Sequence, residues 1–174
     1  MDVFIEYMVK KKKKISDYIE MICIAFFGVF ATIILFSVLM RKAPYFGSLI
    51  TLAAVAGIYF LYIWITRYNV EFEYSLVNDE MDVDKVINAR KRKRMTVVNI
   101  KSVEAFGTKG DFSEFERYIQ NRDIEKIYAC EDKENDNVFF ALYSEKDKRK
   151  MILFNPNEKM AERIKTIASR NMMV

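Results

Sequence analysis

The strongest pattern along the chain is a pair of long apolar runs near its beginning. The first run is Met21–Met40, the second is Tyr45–Thr66, and neither contains a charged residue. At about 1.5 Å per residue, each run would form a helix roughly as long as the hydrocarbon core of a bilayer is thick. Only residues 41–44 separate them. The pattern therefore predicts a transmembrane helical hairpin over residues 21–66, with helices at 21–40 and 45–66.

The distribution of positive charge predicts the orientation of this hairpin. Five consecutive cations precede the first run, namely Lys10, Lys11, Lys12, Lys13 and Lys14. The loop between the runs carries only two. Because cytoplasmic flanks are richer in Lys and Arg, this favours a multi-pass protein of the cell membrane with cytoplasmic N- and C-termini. A cleaved signal peptide is the alternative, but the first run is too long for one and is followed by a poor cleavage region.

The first 20 residues form a basic segment with two interpretations. Phe4, Tyr7 and Met8 would share one face of a helix, so the segment could be a short amphipathic helix on the anionic inner leaflet. The other interpretation is a frayed tail whose lysines only orient the hairpin. The sequence leaves both open.

From Tyr68 onward, apolar residues alternate with polar ones, which indicates half-buried strands. The first series is Val70, Phe72, Tyr74 and Leu76. Further strands are predicted at 81–87, 95–100, 102–106, 124–131, 138–144 and 150–154, with turns at 78–80, 88–94, 135–137 and 145–149.

Two helices are predicted among these strands. A short one falls within 107–122, where Phe112, Phe115 and Ile119 have helical spacing. The second closes the chain, with Asn155 as its N-cap and Pro156 at its first position. Its apolar stripe consists of Met160, Ile164, Ile167 and Ala168.

This layout predicts an α+β protein in which the hairpin is followed by an antiparallel seven-stranded barrel of the pleckstrin-homology (PH) type with a C-terminal helix, over residues 68–174. Two helices followed by EFEYSLVNDEMDVDKVINARKRKRMTVVNIKSVEAF resemble a small, uncharacterised family of bacterial membrane proteins with a two-helix hairpin and a C-terminal PH-like domain. The resemblance covers most of the chain. It implies no catalytic residues, since the family has none established.

Composition excludes several functions. Residues 68–174 carry 20 basic and 20 acidic residues, whereas residues 1–67 carry 8 and 4, so the net charge of +4 belongs to the membrane-flanking part. Nucleic acid is therefore not expected as a partner. The chain has no histidine and no phosphate-cradling or EF-hand motif. We expect no metal, no cofactor and no enzymatic activity.

The sharpest local feature is a run of five cations, Arg90, Lys91, Arg92, Lys93 and Arg94. It is predicted to be a basic turn, and its functional interpretation is attraction to acidic lipid headgroups. The alternative is a turn that is simply solvated.

The sequence thus predicts a membrane-tethered PH-like module that binds a protein partner, or a second copy of itself, at the inner leaflet. One alternative is a structural subunit that docks into a larger membrane complex through its hairpin. The other is a membrane enzyme of unrecognised type.

Overall fold

The computed structural model describes residues 4–110 and 115–172, with side chains as far as Ala168. The chain forms two compact units. The helical unit is Lys13–Asn69, and the other unit, called the β unit, joins the residues up to Lys12 to those from Val70 onward. The helical unit is therefore inserted within the chain of the β unit.

The helical unit contains α1 (Ile15–Lys42) and α2 (Gly47–Thr66), which are joined by a 3-10 turn at Pro44–Phe46. α1 begins earlier than its apolar run because the Lys14 N–H donates to Asp17 Oδ2 at 3.0 Å and so caps the first turn. By length and composition, both helices could cross a membrane, and almost none of their residues is buried within the structure.

Small residues let α1 and α2 approach closely. A Cβ atom at Gly28 would overlap the side chain of Leu61 on α2. At Gly57 on α2, a Cβ atom would lie 3.8 Å from Thr32 Oγ1. The Thr32 hydroxyl donates to Gly28 O at 2.8 Å, so its polar group is satisfied within α1. The absence of a side chain at Gly28 therefore allows the two helices to pack closely within the hairpin.

The β unit contains eight strands in two four-stranded sheets among the described residues. Sheet A has the order β1-β2-β3-β4, and sheet B has the order β5-β7-β8-β6. The strands are β1 (Phe4–Lys10), β2 (Val70–Val77), β3 (Glu80–Ile87), β4 (Lys91–Asn99), β5 (Val103–Thr108), β6 (Glu125–Ala129), β7 (Phe139–Glu145) and β8 (Lys148–Phe154). Neighbouring strands are antiparallel except for β6 and β8, which are parallel.

The prediction of a closed antiparallel barrel of seven strands is therefore wrong, although the order of strands and closing helix is otherwise as expected. Part of the error lies at residues 135–137, which were expected to form a hairpin turn between neighbouring strands. In the structure the Gly110 N–H donates to Asp136 O at 3.1 Å, so this segment is held at the end of β5. The strand before it, β6, pairs with β8 instead of β7.

The additional strand is β1, in the segment for which an interfacial helix or a frayed tail was expected. It pairs along its whole length with β2, from Phe4 opposite Val77 to Lys10 opposite Glu71. The helical spacing was misleading because the segment also has a period of two. Ile5, Tyr7 and Val9 alternate onto the core side of sheet A, and Val9 is buried. The β unit thus includes residues on both sides of the hairpin.

The core lies between the two sheets. Tyr74, Leu76 and Val83 of sheet A meet Ile152 and Phe154 of sheet B in one apolar cluster. The Tyr74 hydroxyl donates to the Ala129 carbonyl oxygen, which satisfies a buried polar group and links the sheets.

Two helices accompany the sheets. The short helix α3 (Phe115–Gln120) lies within the predicted segment, and the Phe115 ring packs on Phe140 with centroids 5.5 Å apart. Phe112 lies outside the described residues. The closing helix α4 (Glu158–Met172) buries its predicted stripe against the core.

The N-cap of α4 differs from the prediction. Asn157 Oδ1 accepts the Met160 N–H at 2.8 Å, so Asn157 is the cap. Asn155 Oδ1 instead accepts the Glu131 N–H at 2.8 Å. Both asparagines precede the helix, and the tertiary contact with Glu131 decides between them.

Candidate functional site

The run of cations at 90–94 is mostly a strand and not a turn. The turn consists of Asn88 and Ala89, both with φ of 52°, and the Arg90 N–H donates to Ile87 O at 3.2 Å. Positive φ at both central positions is what a type I′ hairpin turn requires. The strand β4 begins immediately afterwards at Lys91. Four of the five cations therefore alternate between the two faces of sheet A.

This alternation divides the cations into two groups. Arg92 and Arg94 point to the outward face and form ion pairs, Arg92 with Glu73 at 2.6 Å and Arg94 with Asp82 at 3.2 Å. The others are Arg90, Lys91 and Lys93, which are exposed and form no ion pair with any residue that the structure describes. This second group could meet an external anion without breaking an ion pair.

The burial of Glu73 explains why Arg92 is held in an ion pair. The residue is only 4% exposed although it lies on the outward face of β2. Burial raises the pKa of its carboxyl group, a hydrogen bond with Glu6 raises it further, and Arg92 opposes both effects. Near it, Asp84 Oδ1 is buried without a hydrogen-bond partner among the described residues. Arg92 thus compensates a buried carboxylate in a locally acidic environment.

The five N-terminal lysines, predicted to set orientation, fall at the junction of the two units. Lys10 ends β1 and pairs with Glu71 at 3.6 Å, and Lys12 pairs with Asp132 at 3.4 Å. Lys11 is exposed, and its N–H extends the ladder to Val70 O at 2.9 Å. Lys13 and Lys14 belong to the helical unit.

The register of sheet A brings the two basic segments to the same end of the sheet. Lys10 is opposite Glu71, Glu71 is opposite Val86, and Val86 is opposite Arg92. These four residues form one row across the sheet, which at about 4.8 Å per strand is about 14 Å wide. The chain leaves the β unit at the β1 end of this row. The free cations of the β3–β4 hairpin lie at the other end of the same row or just beyond it.

The sequence did not reveal the carboxylates on the outward face. Asp82 and Asp84 lie in β3, which begins at Glu80, within the segment predicted as a strand at 81–87. The available signal was their alternation with Met81 and Val83, which continues the period-two pattern. Among the described residues, no group of three or more acidic or cysteine side chains is arranged to hold a metal ion.

A second cluster of cations, in the β7–β8 hairpin, provides a contrast. Lys146 and Asp147 form its two-residue turn, with φ of 49° and 61°. Arg149 donates to Glu104 through two nitrogens at 2.6 and 3.0 Å. Burial raises the pKa of the Glu104 carboxyl group, but the hydrogen bonds from Ser144 and Arg149 outweigh this effect, so the pKa is lowered. Lys150 pairs with Glu145 at 3.0 Å. The cations of this hairpin form ordinary surface ion pairs, and its turn lies within the predicted segment 145–149.

Comparison with known proteins gives one match. The sequence model of the family described as "Bacterial PH-like domain (DUF6106)" matches residues 1–174. No curated protein and no solved structure matches the chain.

Proposed function

Because the chain belongs to the family of bacterial PH-like domains, we propose that it is a non-catalytic, membrane-tethered interaction module. The helical hairpin spans the membrane with both chain ends in the cytoplasm. The β unit lies at the inner leaflet, where it binds a protein partner, and its free cations contact acidic lipid headgroups.

One observation carries this proposal: the hairpin is inserted between two adjacent, paired strands of the β unit. Because β1 and β2 belong to one sheet, residues on both sides of the hairpin must lie on the same side of the membrane. An even number of crossings satisfies that requirement. The tether at Lys12 and Val70 would also keep the cations of the run 90–94 within reach of the bilayer.

The lipid contact is attributed to the three cations of the run 90–94 that form no ion pair with a described residue. Each Lys or Arg near an anionic surface contributes about 1 kcal/mol. Arg92 and Arg94 are excluded because their outward ion pairs would have to break first. The proposal therefore assigns the contact to Arg90, Lys91 and Lys93.

A fluorescence experiment tests the lipid contact. Full-length protein with Cys23→Ala and Cys130→Ala receives an environment-sensitive dye at Ala89→Cys, in the turn, and is reconstituted into vesicles. We expect a blue shift when the vesicles contain anionic phosphatidylglycerol compared with phosphatidylcholine alone. Identical spectra in the two kinds of vesicle would contradict the lipid contact.

Matched variants locate the contact. Replacing Arg90, Lys91 and Lys93 by Ser should abolish the shift. The control replaces three other exposed cations of the β unit, Lys146, Lys148 and Lys159, by Ser, which removes the same charge. The control variant should keep the shift. Equal loss in both variants would show a general charge effect and would contradict the assignment.

A hairpin exchange tests whether the β unit carries partner binding. Residues 13–69 are replaced by an unrelated two-helix hairpin, which leaves β1 and β2 intact. We expect proteins captured by in-cell crosslinking of the tagged native chain to be captured by the exchanged chain as well. Loss of capture, with the β unit still folded, would favour a structural subunit that docks through its hairpin.

A further inference from the structure

The two sheets of the β unit have four edge strands, and three of them are protected against pairing with another chain. β4 carries four consecutive cations and has Met95 as an extra, unpaired residue in its ladder with β3. β5 has an irregular register at Glu104 and contains Gly107. β6 is the shortest strand, with five residues. Charges, bulges and short strands are the usual means of blocking an edge.

The fourth edge, β1, carries two charged residues, Glu6 and Lys10, but it has no bulge and no run of cations like that of β4. It is seven residues long, contains no glycine or proline and keeps one continuous register with β2. Three of its apolar or aromatic side chains are exposed, Phe4 by 65%, Met8 by 46% and Tyr7 by 37%. A long, regular edge with exposed apolar residues is suited to accept another strand.

The open hydrogen-bonding groups of β1 can be assigned from its ladder. The Lys11 N–H donates to Val70 O at 2.9 Å, so the backbone N–H and C=O groups of Lys11 point toward β2. In an antiparallel ladder this direction alternates, so Glu6, Met8 and Lys10 point theirs toward the open edge. The open edge ends at Lys10, because the Lys12 N–H donates to Glu131 O at 2.9 Å.

We propose that the open edge of β1 pairs with β1 of a second copy of this chain, antiparallel and about a two-fold axis at Met8. In this register Glu6 lies opposite Lys10 of the second copy, and Lys10 lies opposite its Glu6. Opposite charges therefore meet on both sides of the axis, and Met8 meets its own copy between them. Lys10 also pairs with Glu71 of its own chain at 3.6 Å, but its side chain is 84% exposed, so it can face a second carboxylate without breaking that long pair. The neighbouring register, with the axis at Tyr7, places Phe4 opposite Lys10 and Glu6 opposite Met8.

The same register suits two tethered chains. The two copies of Lys10, where the chains turn toward their hairpins, are offset by four residues along the strands, or about 14 Å. The register centred on Tyr7 increases this offset to about 20 Å. Five paired residues form a small interface, but confinement of both copies to one membrane raises their effective concentration. The inference rests on the proposed function, because it names the partner of the membrane-tethered module.

Cysteine crosslinking in native membranes tests the axis. In full-length protein with Cys23→Ala and Cys130→Ala, Met8→Cys places two thiols directly opposite each other, with Cα atoms about 5.5 Å apart, within disulfide range. Phe4→Cys is the control, since it is exposed on the same face but would lie about 27 Å from its copy. We expect oxidation to yield disulfide dimers for Met8→Cys only. No dimer, or equal dimer for both variants, would overturn the proposal.

Charge exchange tests the register with an internal folding control. In the Met8→Cys background, Glu6→Lys or Lys10→Glu alone places like charges opposite each other, so each variant should lose the disulfide dimer. When both variants are co-expressed with different tags, every pair is again opposite in charge, so a mixed dimer should form. Because each variant pairs in the mixture, its failure alone cannot be due to misfolding. Absence of the mixed dimer would overturn the register.

The outcomes separate this inference from the proposed function. If Met8→Cys does not crosslink but the β unit still captures another protein after the hairpin exchange, the second copy is excluded as the partner and the module remains. If there is neither self-crosslinking nor capture, both proposals fail.

Discussion

The insertion of the hairpin between β1 and β2 predicts that residues 69–174 alone form a severely destabilised domain. This fragment lacks β1, so it loses the burial of Val9, which is 8% exposed, and the partial burial of Ile5 and Tyr7. The burial of Val9 contributes about 2 kcal/mol, and that of Ile5 and Tyr7 about 1 kcal/mol each, so the fragment loses about 4 kcal/mol of folding free energy. A domain of this size is stable by only about 5–15 kcal/mol in total.

The comparison molecule is a rejoined domain in which residues 1–11 are linked through Asn-Gly to residues 70–174. Lys11 and Val70 are already paired across the ladder, so a two-residue type I′ turn can replace the whole helical unit. We expect the rejoined domain to unfold cooperatively in urea and on heating. The fragment without β1 should melt about 20 °C lower or lack a cooperative transition.

Two substitutions in the rejoined domain check that burial is the cause. Val9→Ala should cost about 2 kcal/mol, because it removes two buried methyl groups. Met8→Ala, on the exposed outward face of the same strand, should cost less than about 0.5 kcal/mol. If the fragment and the rejoined domain have the same urea midpoint, the assignment of β1 to the domain is refuted.

Four further substitutions can be tested. Urea unfolding of the rejoined domain should show that Arg92→Ala costs about 1 kcal/mol, because the substitution leaves buried Glu73 without its cation. The cost is not larger because the Arg92 side chain is itself exposed to solvent. Glu73→Gln should cost less than about 0.5 kcal/mol. Because the pKa of Glu73 is raised in the folded state, the folded protein binds a proton more tightly than the unfolded chain, and its stability should fall as the pH rises above 4.5. Glu73→Gln should remove this fall. Ala89→Gly should stabilise the same domain by about 0.5 kcal/mol, because it relieves a φ of 52°, and a lower melting temperature would contradict this. Gly28→Leu should destabilise the full-length protein in micelles by about 2 kcal/mol on titration with SDS, since the new side chain overlaps Leu61.

The parts of the fold that the sequence predicted correctly are those in which one periodicity dominates. Phe72, Tyr74 and Leu76 alternate with polar residues and fit no helix, so β2 was clear. The stripe of Met160 and Ile164 fits no strand, so α4 was clear as well. In both elements the apolar residues whose spacing indicates the structure are the residues that are buried in the core.

The parts that were not predicted depend on contacts between distant segments. Phe4, Tyr7 and Met8 fit a helix while Ile5, Tyr7 and Val9 fit a strand, and only the presence of β2 as a partner decides between them. The parallel pairing of β6 with β8 likewise has no local signal, because it depends on where the 135–137 segment is held.

The candidate site shows the same division. The run of cations was evident from the sequence, but its separation into free and occupied members was not. Glu73 and Asp82 are distant from the run in sequence, and they occupy Arg92 and Arg94 only because β2, β3 and β4 are neighbours in sheet A. A count of charges would have assigned all five to lipid binding.

The order of the elements along the chain has a consequence for assembly. β1 is synthesised first but cannot complete sheet A until β2 follows, and both proposed membrane crossings lie between them. A chain with only one helix inserted would leave β1 and β2 on opposite sides of the bilayer, with Val9 and the edge of β2 uncovered. Strand pairing therefore favours the topology in which both helices have crossed, independently of the lysines at the junction. In such a protein the folding of the β unit and the correct insertion of the hairpin stabilise each other.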